Sequence, residues 1–160
     1  MKNQTITFQN LTAAFYGESG AHMKYTWAAE VAELAGDHET AELFRETAKQ
    51  ERLHALAHLK LMYPDATVED VLKMAIAGET EEYTEMYPRM AREAAAEKDQ
   101  AAQAEALEQI EESRVHAGQF TAQLQKAQKR FDALTSVEKR HAGQYENRLN
   151  HLSNHEGATQ

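Results

Sequence analysis

Glu51 and His54 place a carboxylate and an imidazole three residues apart inside an apolar helical pattern, in the stretch Gln50-Glu51-Arg52-Leu53-His54-Ala55. Residues at i and i+3 share one helix face. That face also carries Leu43, Phe44, Thr47, Ala48, Ala55, His58, Leu61 and Met62, so the pair is expected to point into a core. A carboxylate removed from water needs a proton, a cationic partner or a metal ion. Other segments repeat the anomaly. Glu18 falls on a stripe with Leu11, Ala14, Phe15, Ala21, Tyr25, Ala28 and Ala32. Glu79 and Glu82 fall on a stripe with Val68, Val71, Leu72, Ala75, Tyr83, Met86, Met90 and Ala94, and Glu112 and His116 lie near Ile110, Phe120 and Leu124.

The elements that must position these groups are helices. Asn10 is a good N-cap for the first, Gly36-Asp37 is a stop and a new start, and the second is expected from about His38 to Met62. Tyr63-Pro64-Asp65 breaks the pattern, and Thr67 followed by Glu69 and Asp70 starts a third helix. Pro88 sits inside that helix, removes one backbone hydrogen bond and predicts a bend just beyond the carboxylates. Lys98-Asp99 is the break before a fourth helix. Thr135-Ser136 is read as a restart, with helix to about Leu152 and a frayed end from Ser153 to Gln160. Glu18 precedes Glu51 by 33 residues, and Glu79 precedes Glu112 by the same 33. Each hairpin therefore carries its acids at mid-height, and packing the hairpins together would gather Glu18, Glu51, Glu79, Glu82, Glu112, His54 and His116 in one layer. Five carboxylates cannot all stay ionised there unaided. Two divalent ions bridged by carboxylates and capped by one imidazole each would neutralise them, and such oxygen-rich ligation suits iron or manganese.

Composition agrees. The 160 residues are 42% hydrophobic, enough for one well-filled core, and their few glycines and prolines favour an all-α protein. The net charge of -9 argues against nonspecific binding to nucleic acid or anionic membranes. With no cysteine there is no disulfide, zinc-thiolate site or iron-sulfur centre within the sequence. No apolar run reaches membrane-span length, and Met1 to Asn10 lacks the apolar core of a signal peptide, so a cytoplasmic protein is expected.

The sequence resembles the rubrerythrin branch of the ferritin-like di-iron proteins. The resemblance rests on Gly17-Glu18-Ser19 with Tyr25, on Glu51-x-x-His54, on Gly78-Glu79-Thr80-Glu81-Glu82-Tyr83-Thr84-Glu85-Met86-Tyr87-Pro88, and on His116. It spans roughly residues 8 to 127. It implies a ferritin-like four-helix bundle over residues 1–134 with a long crossover between its second and third helices, followed here by an extra C-terminal helix and tail, 135–160. It also implies two iron ions per chain, with manganese or zinc as possible substitutes, held by Glu18, Glu51, Glu79, Glu82 and Glu112 with His54 and His116. Glu82 would be the mobile ligand, and Tyr25 and Tyr87 would hydrogen-bond ligand carboxylates. The activity implied is reduction of hydrogen peroxide, or of dioxygen, in a homodimer supplied by an external electron-donor protein.

Several positions keep a second reading. The family pattern expects glutamate at 113, where this chain has Ser113; the nearest acid is Glu112, four before His116, and a π-bulge between them would restore ligand geometry. Equally, the stripe of Ile110, Ser113, Ala117, Phe120 and Leu124 would leave Glu112 at its edge. Tyr25 and Tyr87 could be core aromatics. His22, His38, His58, His151 and His155 read as ordinary solvent or interface histidines. Glu138-x-x-His141 repeats the carboxylate-imidazole spacing, but on a straight helix it would stand about 37 Å above the metal layer, so it reads as part of an amphipathic docking helix. The family's cysteine-rich rubredoxin-like segment is not in this sequence, so electrons are expected from another molecule. The rival to a redox enzyme is a metal-binding module in which the ion stabilises the bundle and the tail binds a partner; zinc would serve that role without redox chemistry. A di-iron oxidase or ferroxidase using dioxygen is the other alternative.

Overall fold

Thr5, and not Asn10, starts the first helix. In the computed structural model, which describes residues 5–156, Thr5 Oγ1 accepts from the Phe8 N–H at 3.1 Å and α1 runs Ile6–Leu34. α2 follows as His38–Met62, capped by Asp37, whose carboxylate accepts from the Thr40 N–H at 3.0 Å. That bond holds the Asp37 carboxyl below its ordinary range. Helix is the only regular structure among the described residues, and none of these helices is long and apolar enough to cross a membrane. They fall into two compact units, residues 1–65 and 66–160.

The first unit is the α1/α2 hairpin, and its seam is made of small residues. Ala29 and Ala32 of α1 and Ala41, Ala48 and Ala55 of α2 are buried, and Met62 closes the series. Ala41, Ala48, Ala55 and Met62 recur every seven residues, the spacing that keeps one stripe on a neighbouring helix. Each alanine buries a single methyl, so the apolar gain per position is small; what alanine permits is close approach of the two backbones. Polar links cross the same seam. Arg45 Nη2 donates to Glu33 Oε2 at 2.5 Å, holding the Glu33 carboxyl below its ordinary range, and His22 Nδ1 lies 2.9 Å from the Ala48 carbonyl oxygen. Phe8 and Tyr63 meet edge to face at 5.8 Å beside the open end.

The connection from α2 to α3 is only residues 63–67, so the long crossover implied by the resemblance is absent. Pro64 ends α2, and Thr67 begins the next helix at once through a capping box: Thr67 Oγ1 accepts from the Asp70 N–H at 3.2 Å, and Asp70 Oδ2 accepts from the Thr67 N–H at 2.9 Å.

The second unit packs a segmented helix against one long helix. α3 (Val68–Glu81) passes into a π turn, Glu82–Met86, and then α4 (Tyr87–Glu97). The expected irregularity near Pro88 therefore takes the form of a widened turn, in which the Tyr87 N–H reaches back five residues to the Glu82 carbonyl. Pro88 has no N–H to give and its ring would crowd the carbonyl four residues earlier; widening the preceding turn relieves both problems. The added residue also shifts the inward stripe of α4 by one position. Ala91 is buried where the uniform helical stripe expected Met90, which is exposed.

α5 then runs unbroken from Gln100 to Glu156. The restart expected at Thr135-Ser136 does not occur, so residues 135–156 are the distal part of α5 and not a separate helix. Hydroxyl residues favour an N-cap only where the helix already breaks, and the surrounding Ala, Leu, Lys, Arg and Glu sustain it. The helix also passes the expected end at Leu152; residues 157–160 of the tail lie outside the described residues.

The two hairpin turns share a design and differ in one residue. Each sets a left-handed residue before an aspartate N-cap: Gly36 (φ 79°) before Asp37, and Lys98 (φ 63°) before Asp99. A methyl group on Gly36 would meet nothing within 4 Å, so its substitution cost is purely conformational. Gly36→Ala should destabilise the chain by about 1 kcal/mol and Lys98→Gly should stabilise it by a similar or smaller amount, measured by urea unfolding. Matching signs for the two variants would contradict this account of the turns.

Candidate metal centre

The α1/α2 hairpin brings three expected ligands together. One ligand atom each from Glu18, Glu51 and His54 lies within 4.8 Å of the others, and His54 Nδ1 is 3.1 Å from Glu51 Oε2. Glu18 reaches across the seam from mid-α1, whereas Glu51 and His54 stand one turn apart on α2. Their closeness shifts the two carboxyls in opposite directions. The Glu18 carboxyl is pushed up, first by its hydrogen bond to Glu51, then by burial and the Glu51 charge, while His54 and His58 pull it part of the way back. Glu51 is correspondingly pushed down, by the Glu18 hydrogen bond and then by His54. Among the described residues, this is the group of three or more carboxylate and imidazole side chains placed to hold an ion.

The second unit assembles its own group. His116 Nδ1 lies 3.4 Å from Glu79 Oε2, at a geometry that leaves this buried oxygen without a hydrogen bond. A buried carboxylate oxygen without a hydrogen bond and with an imidazole beside it fits the donor chemistry of a cation site better than a finished ion pair. Glu82 stands at the start of the π turn, and its Oε2 accepts from Ser113 Oγ at 3.0 Å. Ser113 is 3% exposed and takes the inward position on α5. Glu112 is exposed at the edge of that seam, as the alternative reading of its stripe described, and its charge is felt by Tyr87. The π-bulge expected between Glu112 and His116 is not there, since α5 is regular through that stretch; the π turn lies on the facing helix, beginning at Glu82.

The tyrosines and remaining histidines divide. Tyr25 packs its ring against Phe44 at 5.9 Å across the α1/α2 seam. The Tyr87 hydroxyl is pushed up by burial and then by Glu82, Glu105, Glu79 and Glu112, so it keeps its proton among acids. His38 pairs with Glu33 at 2.9 Å. His22 and His58 are not ordinary surface residues: His22 bonds a backbone carbonyl across the seam, and His58 has a buried Nδ1 with no partner. The sequence placed His58 on the same face as Glu51 but gave no sign that its Nδ1 would be buried without a partner. The side chains of His151 and His155 lie outside the described residues. Glu138 and His141 are exposed and 4.0 Å apart.

The donor set, carboxylates with imidazoles and no thiolate, fits iron or manganese. Comparison with known proteins points the same way. The family model described as Rubrerythrin matches residues 9–149. Rubrerythrin-1 of Clostridium acetobutylicum is 36% identical over 108 residues, covering 56% of this chain and 55% of that protein. Rubrerythrin of Porphyromonas gingivalis is 37% identical over 102 residues, covering 55% and 50%, and rubrerythrin of Nitratidesulfovibrio vulgaris is 36% identical over 99 residues, covering 54% and 52%. The chain spans about half the length of the curated relatives it matches. It belongs to the rubrerythrin family, whose ferritin-like all-α domain is a di-iron carboxylate site.

Proposed function

We propose that the chain is a di-iron oxidoreductase that reduces hydrogen peroxide to water with electrons from a separate donor. In this reading Glu18, Glu51, His54, Glu79, Glu82, Glu112 and His116 are the ligands of two iron ions. The observation that carries it is the Glu18, Glu51 and His54 group, whose ligand atoms come within 4.8 Å of one another across an alanine-lined hairpin, the two carboxylates half-buried and the imidazole exposed at its edge. Its support from the second unit is the orphaned Glu79 oxygen beside His116.

Iron, when bound, would supply two electrons, which with two protons convert peroxide to two waters. The residues manage charge and protons around that exchange. Glu18 and Glu51, whose carboxyls are shifted in opposite directions by their closeness, would both serve as ionised ligands to a bound cation. Glu82 is tethered by Ser113, so any swing of its carboxylate must first break a 3.0 Å hydrogen bond. Tyr87 stays protonated amid four acids and can donate to a carboxylate. Tyr25, braced by Phe44, is assigned the equivalent place on the first hairpin. No iron-sulfur relay can form within these cysteine-free residues, which is why a separate electron carrier is part of the proposal.

Two measurements test the proposal. Glu18→Gln should have opposite effects on the metal-free and metal-bound chain. A carboxyl whose folded pKa is raised favours the folded state most at low pH, and that contribution is lost as pH rises through the folded value. Glu51, pushed down, works in the other direction: its contribution is lost as pH falls through its folded value. Glutamine at 18 stays neutral and can still donate to Glu51. The metal-free variant should therefore melt above the metal-free wild type at neutral pH, with the gap closing in acid, while binding ferrous ion at least roughly tenfold more weakly. A variant that binds iron like the wild type would count against the ligand assignment.

The second measurement is stoichiometric. Chemically reduced protein loaded with iron should be reoxidised by one peroxide per pair of irons, and turnover should require an added electron carrier. Slow reaction with peroxide beside rapid reaction with dioxygen would replace the proposal with an oxidase. Folded protein that takes up zinc but shows no two-electron reoxidation when given iron would leave the site a structural one.

A further inference from the structure

The inner stripe of α5 outlasts the helices packed against it. Along α3 and α4 it runs through Ser113, Ala117, Phe120, Leu124 and Ala127, in alternating steps of three and four residues, and each of these is buried or half-buried. α3 starts at Val68, beside a groove lined by Leu124, Ala127 and Phe131, so the stripe beyond that groove has left its neighbour behind. The same alternation nevertheless continues through Phe131, Leu134, Glu138, His141, Tyr145 and Arg148. Phe131, Leu134 and Tyr145 are 75%, 61% and 71% exposed. Large apolar side chains in register with a packed seam, but left in water, mark a surface that another helix covers.

We propose that this distal stripe docks a second copy of the chain, the two α5 helices crossing antiparallel about a two-fold axis between Lys139 and Arg140. The order of residues along the stripe selects that occupant. Antiparallel pairing about this axis sets Glu138 against His141 of the second copy, Leu134 against Tyr145 and Phe131 against Arg148, and the symmetry makes each match twice. An imidazole donates to a carboxylate, a leucine packs on a tyrosine ring, and a guanidinium lies over a phenylalanine ring. A parallel pair would set Glu138 against Glu138 and Arg148 against Arg148, like charges at positions that exclude water. Glu138 and His141 thus fix the register. On their own helix they stand 4.0 Å apart, too far for a hydrogen bond, and both are exposed. The positions flanking the crossing, Thr135, Val137, Ala142 and Gln144, carry no charge that could repel a second copy. The wider charge distribution favours the same contact. Residues 125–156 hold six lysines and arginines against four acids, whereas the whole chain holds 17 against 26. Two copies therefore repel least where they meet through this arm. The inference makes no use of the metal centre.

The test uses the full chain, whose lack of cysteine lets one spin label be attached at a chosen position. Arg140→Cys puts the label beside the axis, and Gln125→Cys puts it about four helical turns away. Sedimentation should show a dimer at micromolar chain concentration. Pulsed electron-spin measurements should give a label separation within about 25 Å at position 140, set by the helix spacing, and roughly 45 Å at position 125, because each residue away from the axis adds twice the ~1.5 Å rise. Glu138→His or His141→Glu alone should weaken association by about fivefold or more, and the two together should restore it, since the exchange again faces every acid with an imidazole. Short separations at both positions would mean parallel pairing and overturn the inference. Long separations at both would place the contact on another face and overturn it too. So would a chain that stays monomeric, or a double variant that associates no better than either single one.

Discussion

Glu18 and Glu51 are held close enough across the α1/α2 seam for the Glu18 carboxyl to be pushed up and the Glu51 carboxyl down, and much of the first unit is explained by that constraint. Two acids come this near only if the helices carrying them do, and the helices approach because the seam is lined with alanine. The resulting apolar gain is small for each residue, so the hairpin relies on directional ties: a left-handed glycine and an aspartate cap at the turn, Arg45 on Glu33, and a ring contact beside the open end. None of these ties engages Glu18 or Glu51.

The second unit meets the same demand differently. Its carboxylates stand where the helix is least regular, at the junction of α3 with the π turn. Glu79 keeps an unsatisfied oxygen, and Glu82 is restrained by a buried serine. Widened turns recur at functional sites because they re-aim side chains that a uniform helix would fix. Here the widening is sustained by Pro88, and two threonines, Thr80 and Thr84, turn their hydroxyls back on the Ile76 and Thr80 carbonyls beside it. Ser113 explains the departure from the family pattern in local terms. The inward position on α5 faces Glu82, and a glutamate there would set a second charge against the first, whereas a serine donates to it.

What could be read from the sequence was whatever depended on short-range spacing. The helix class, the turns at Gly36-Asp37 and Lys98-Asp99, the second helix from His38 to Met62 and the convergence of Glu18, Glu51 and His54 all derive from periods of three to four residues and from cap chemistry. The errors arose where one added or missing residue changes the answer. Met90 was placed on the inner stripe because the count past Met86 assumed a uniform helix; the π turn adds one residue and hands the position to Ala91. Thr135-Ser136 looked like a start because caps were read by residue type without a break to cap. The long crossover came from the likeness and not from the residues, although Pro64 and Thr67, three apart, already demanded a short link. His58 was read as an ordinary solvent or interface histidine because an imidazole on a mixed face looks the same whether or not its nitrogen has a partner.

The continuity of α5 gives the chain a mechanical property. Fifty-seven residues of uninterrupted helix span about 86 Å, and Ser113 and His116 sit in its first third. Past Phe131 the large apolar side chains Leu134, Tyr145 and Leu149 are exposed. A joint at residues 135–136 would absorb a push or a twist applied out there. Without one, α5 is a lever: whatever grips Tyr145 or Leu149 works the long arm, and the short arm carries the serine that holds Glu82 and the histidine beside Glu79.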